Sequence, residues 1–158
     1  MSNYVLAITF VHIVGAAVLL GTGIGIAFFM WMANRSGSAA TIAQTARTVV
    51  IADTLFTATA VVVQPISGAA LAWMTGYSLL EPWILAALVL YGLVGACWLP
   101  VVWIQLQLRD LAATAAASGT PLPARYQQLF RIWFALGWPA FAGVLAIFVL
   151  MVWRPALW

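Results

Sequence analysis

The chain has 158 residues, of which 66% are hydrophobic and 6% charged, and its mean hydropathy is +1.09. A soluble domain carries about 25% charged residues, so this composition excludes a water-facing surface and leaves lipid as the solvent. The net charge of +3 comes from arginines alone, set against Asp53, Glu81 and Asp110. They flank apolar runs and form no basic stripe with interleaved aromatics, which excludes nucleic acid and points to lipid headgroups.

The first apolar run goes from Tyr4 to Trp31. It has no positive segment before it and, at about 28 residues, exceeds the apolar stretch of a signal peptide, so a retained span is expected. Asn34, Ser36, Gly37 and Ser38 make a turn, with Ser38 placed to cap a helix beginning near Ala39. The second span covers Val49 to Met74, and Gly76 suits its C-terminal cap. Glu81-Pro82 reads as a helix start with proline at the first position, and the third span follows from Trp83 to Leu106. The Ala-rich stretch Leu111 to Ala117 extends that helix past the membrane. Ser118 to Pro121 form a turn, Ala124 to Phe130 lead in, and the fourth span runs from Ile132 to Trp153. Each run is long enough for a hydrocarbon core of about 30 Å. The expected fold class is all-α, a single-domain integral membrane four-helix bundle.

Arginine bias sets the expected orientation. Arg35 and Arg47 lie between the first two spans, and Arg109, Arg125 and Arg131 between the last two; only Arg154 falls at the other end. The loops with five arginines are expected in the cytoplasm and both termini outside, in a bacterial inner membrane. Trp73, Trp83, Trp153 and Trp158 suit the outer interface, Trp31, Trp103 and Trp133 the inner one, and Trp98 and Trp138 the core. Cys97 is the one cysteine. It excludes an intrachain disulfide and any multi-cysteine metal site, and inside an apolar run it reads as a small hydrophobe.

In lipid the informative residues are polar, because an unpaired polar group there costs several kcal/mol. His12 lies about two turns inside the first helix. It is either a ligand for haem iron or another metal, a proton relay, or a helix–helix hydrogen-bonding group. Gly15 and Ala16, one turn on, leave room for a flat macrocycle; the Gly21 and Gly25 pair instead fits close helix packing. Tyr91 matches His12 in depth, and Met74 and Met151 lie at the outer ends of their helices. These three are the candidates to share a site with it, since methionine ligates haem iron and Cu(I) as well as filling cores. Asp53 is expected to pair with Arg131, with Gln105 nearby as part of the same polar cluster and Arg47 as another possible partner. Pro65 frees the Val61 carbonyl, and Pro100 and Pro139 do the same in the next two helices. Three kinked helices of four favour a cavity in the bundle.

The stretches Phe10-Val11-His12, Gly21-Thr22-Gly23-Ile24-Gly25, Ala52 to Thr57, Gln64-Pro65, Gly95 to Pro100 and Phe134 to Pro139 together resemble a bacterial family of small integral membrane proteins of unknown function. The resemblance runs almost the whole length. More distantly, a histidine early in the first span of a four-helix unit is similar to the superfamily of copper-resistance protein D and the haem-binding protoporphyrinogen oxidase. That resemblance implies haem b or copper at His12. The chain has no second histidine and no lysine, so a second axial ligand comes from a dimer mate, Met, Tyr91 or nowhere.

The expected function is a haem b-binding membrane protein with a redox role, whose partners are the bilayer, a quinone or porphyrin, and a homodimer mate or larger membrane complex. The alternatives are a cofactor-free accessory or assembly subunit of a larger membrane complex, and a copper-handling or small-solute transport protein.

Overall fold

The computed structural model describes residues 2–157. The expectation for Trp158 lies outside the described residues. Four long helices account for nearly all of the chain: α1 (Asn3–Arg35), α2 (Ala39–Thr75), α3 (Pro82–Ser118) and α4 (Ala124–Trp153). Each is long and apolar enough to cross a membrane.

The ends follow local chemistry. Ser2 accepts a hydrogen bond from the Val5 N–H at 3.4 Å and starts α1. Ser38 accepts from the Thr41 N–H at 3.3 Å and starts α2 at the expected place. Gly76 and Gly119 close α2 and α3 in the left-handed region, φ 79° and 64°, where a side chain would be strained. Pro82 opens α3, where its missing N–H leaves no bond unmade. The extensions expected beyond the membrane for the second, third and fourth helices are present as continuous helix.

The helices are not uniform. Residues Asp53–Thr57 of α2 form one π turn, flanked by α-helical Ala39–Ala52 and Ala58–Thr75. Pro65, Pro100 and Pro139 lie inside α2, α3 and α4.

Packing is concentrated at the end of the bundle that carries five arginines, called here the arginine-rich end; the other holds both termini. Met30, Ala33, Ile42, Ala46, Val49, Ile104, Leu108, Ala112, Tyr126 and Phe130 join there in one buried cluster. Beyond it, towards the terminal end, the bundle opens. α1 stays against the second half of α2, and α4 stays along α3, while α2 and α3 touch mainly through the first half of α2. The most apolar window of α4 buries none of its residues. Lipid tails are as apolar as the side chains, so nothing drives those surfaces together.

Two tryptophans differ from expectation. Trp133 is buried in the core at 4% exposure, because its indole N–H has a partner there, and Trp138 faces outward at 64% exposure.

Candidate functional site

His12 sits on the seam between α1 and the second half of α2. Its Nδ1 lies 2.9 Å from the Ser67 hydroxyl. That hydroxyl is 2.8 Å from the Val63 carbonyl, the partner a buried helical serine normally uses. A hydroxyl has one proton. If it is given to Val63, the oxygen accepts from His12, which is the tautomer with the imidazole proton on Nδ1 and a free lone pair on Nε2. Gly68 makes room for the ring: a Cβ there would lie 3.2 Å from His12 Cε1.

Gln64 reaches across from α2 to the backbone of α1. With its amide oriented to match donor with acceptor, it donates to the His12 carbonyl at 3.0 Å and accepts from the Ala16 N–H at 3.2 Å. Gly15 is buried under this amide, and a Cβ at Gly15 would lie 2.7 Å from its tip. Gly15 and Ala16 therefore receive Gln64, and the room expected there for a macrocycle is filled. The small residues admit a polar side chain that pins two helices together.

Tyr91 is also committed. Its hydroxyl donates to the Val61 carbonyl, the group left without a partner by Pro65. Tyr91 thus bridges α3 to α2 at the kink and closes a backbone vacancy in a lipid setting where water cannot. Met74 lies seven residues beyond Ser67, which is roughly 10 Å further along the helix, so it does not stand opposite His12. Met151 is on α4, which packs along α3 and meets α1 only narrowly.

The polar cluster expected around Asp53 divides into two. Asp53 is 6% exposed and accepts from Trp98 Nε1 at 3.3 Å. Arg131 is exposed and makes no ion pair with it; the one ion pair among the described residues joins neighbours Arg109 and Asp110 at 2.8 Å. Arg47 is likewise exposed. Gln105, 1% exposed, accepts instead from Trp133 Nε1 at 3.2 Å. The reason is shared: an indole N–H in an apolar interior needs an acceptor, whereas an arginine near a helix end reaches headgroups and water at less cost. The sequence signal for this was there, since Trp98 and Gln105 stand two turns apart on one face of α3.

An open apolar groove of about 600 Å³ runs between α3 and α4, lined in part by Val94, Cys97, Pro139 and Gly143. It does not include His12. Cys97 is half-buried there among apolar neighbours, in keeping with its reading as a small hydrophobe. Among the described residues no three His, Cys, Asp or Glu side chains gather into a metal-binding group.

No curated protein and no solved structure matches the chain. A family model does, over residues 6–155. That match covers nearly every helix described above, and the chain belongs to the family described as predicted integral membrane protein, DUF2269.

Proposed function

We propose that this is a haem b-binding membrane protein with a redox role, in which His12 Nε2 is an axial ligand. One observation carries the reading: His12 Nδ1 lies 2.9 Å from the Ser67 hydroxyl, which lies 2.8 Å from the Val63 carbonyl, an arrangement suited to a proton on Nδ1. A neutral imidazole held by its other nitrogen is the donor that haem iron takes, and the outer bond fixes the ring and raises its basicity. The distant similarity to the copper-resistance and protoporphyrinogen oxidase superfamily points the same way.

The residues fit the group as a one-histidine site. Gln64 fills the Gly15 side and Gly68 lies against the ring. The approach to Nε2 that remains is the part-exposed side of His12. Tyr91 is spent on Val61, and Met74 stands about two turns away. If the haem took a second protein ligand, His12 of another copy would supply it. Haem supplies one-electron transfer when bound. The chain supplies the ligand, an apolar surround and a fixed tautomer. A quinone or porphyrin is the partner class suited to a site reached through lipid.

The arginine bias of the loops supports a cytoplasmic position for that end of the bundle, and with it an outer-half position for His12 in a bacterial inner membrane. Two other readings compete. Trp138 is exposed to the surroundings, and a Cβ at Gly21 or Gly23 would meet nothing within 4 Å; such faces suit an accessory subunit inside a larger membrane complex. The free Nε2 also suits copper.

Absorption spectra of the protein purified from haem-replete cells, oxidised and then dithionite-reduced, test the proposal. The expected result is a Soret band with sharpened reduced α and β bands, lost in His12→Ala and shifted in Ser67→Ala. A featureless spectrum overturns it. Metal analysis of the same sample then separates copper from no cofactor.

A further inference from the structure

Asp53 is not used by the reading above and has an unusual setting. It opens the π turn of α2, at the margin where the packed core ends. Its carboxyl is buried, and the neighbours bring no positive charge to it. On α1, Arg35 stacks on Trp31 at 5.1 Å, and His12 is bonded to Ser67, fourteen positions along α2 from Asp53 and so roughly 20 Å away. On α2 itself, Arg47 is exposed and six residues off, on the far side of the helix. On α3, Arg109 pairs with Asp110, and Tyr91 is bonded to Val61. On α4, Arg125 donates to Gln107, Arg131 is exposed, and the buried Tyr126 hydroxyl has no hydrogen-bond partner. Among the described residues the carboxyl's polar neighbours are both neutral, the indole of Trp98, which donates to it at 3.3 Å, and the hydroxyl of Thr57.

The second observation concerns Thr57. Thr9, Thr48, Thr54, Thr59, Thr75 and Thr114 all give their hydroxyl to the carbonyl four residues back. Thr57 does not: it is 7% exposed and its Oγ1 has no partner. The carbonyl four residues back belongs to Asp53, and the π turn gives that oxygen to the Ala58 N–H. Asp53 and Thr57 are one turn apart on the same face, so an orphaned hydroxyl oxygen stands beside a carboxyl that lacks a counter-ion.

We propose that Asp53 is a proton-binding site inside the bilayer, with Trp98 and Thr57 as its polar partners. An unpaired carboxylate in apolar surroundings is far costlier than a neutral acid. The carboxylate takes up one proton and becomes a donor. Oδ1 keeps the Trp98 bond, and the new O–H on Oδ2 has the Thr57 oxygen to donate to. Losing the proton restores the charge and removes that donor. The site is separate from His12 and stands whether or not haem binds there.

Infrared spectra of the purified full-length protein in lipid test this at about pH 7.5, more than three units above the ordinary aspartate value. The expected result is a carboxylic-acid carbonyl band that shifts in D2O and is absent from Asp53→Asn. Thr57→Val should move the band to higher frequency, because the acid loses its acceptor. If Asp53→Asn fails to accumulate, isotope-labelled aspartate with Asp110→Asn leaves Asp53 as the one labelled carboxyl. Loss of carboxylate bands in place of the acid band in Asp53→Asn, or labelled carboxylate bands in place of a labelled acid band in the second sample, overturns the proposal.

Discussion

Gly143 and Gly21 lie in membrane helices of similar composition, yet a methyl group would act differently at each. A Cβ at Gly143 would lie 2.6 Å from Val94 Cγ2, so α3 and α4 approach closely there. Valine has no flexible end to swing away. Gly143→Ala is therefore expected to destabilise the protein by about 1–3 kcal/mol, the usual cost of overpacking. Gly21→Ala, with open space around it, is expected to leave stability unchanged or slightly raised by helix propensity. Unfolding midpoints of the two variants in mixed micelles check this, and equal losses would show that Gly21 packs against something in the membrane. The small-residue spacing at Gly21 and Gly25 identified a possible contact, but spacing alone could not say which glycines are contacted. Likewise the sequence marked Gly15 and Ala16 as roomy without showing that Gln64 fills the room.

At the scale of an element, α2 is the organising helix. It carries a π turn at Asp53–Thr57 and a proline at 65, and each break is paired with a residue from another helix. Trp98 meets Asp53, and Tyr91 meets the Val61 carbonyl. Tyr91→Phe is expected to cost about 1 kcal/mol, in line with hydrogen bonds between membrane helices. In a Pro65→Ala background the cost should shrink, because the backbone N–H restored at that position serves Val61 and the tyrosine is no longer needed. A double-mutant cycle on unfolding free energies measures that coupling. Additivity of the two changes would show that Tyr91 does not compensate the proline. The proline and its freed carbonyl were readable from the sequence. The π turn was not, since no residue type demands an extra backbone position and the turn is fixed by contacts along the whole helix.

For the whole molecule, the uneven packing sets where function can lie. The core sits at the arginine-rich end, and the helices part towards the terminal end. His12 and the α3–α4 groove both lie where side chains are half-covered. Orientation can be checked in a Cys97→Ala background. Ser36→Cys in the first turn should react with a membrane-impermeant maleimide only in inverted vesicles, and Ser78→Cys, in the α2–α3 loop, only in intact cells stripped of their outer barrier. The reverse pattern would place the arginines outside and overturn the orientation.

The sequence by itself determined the four helices, their ends and the membrane as solvent. Apolar length, Gly and Pro punctuation and capping serines act locally, so those features need no neighbour. Gly76, Ser38 and Pro82 all stand at helix ends as read. Only the tertiary structure decided the partners: Ser67 for His12, Gln64 for Gly15, Trp98 for Asp53 and Trp133 for Gln105. The physical reason is the solvent. In water an amphipathic stripe marks the inward face of a helix, but in lipid both faces are apolar, so the sequence carries little record of which residues meet. Most of the few polar groups pair where an apolar interior denies them water, and the fold alone sets which partner is within reach.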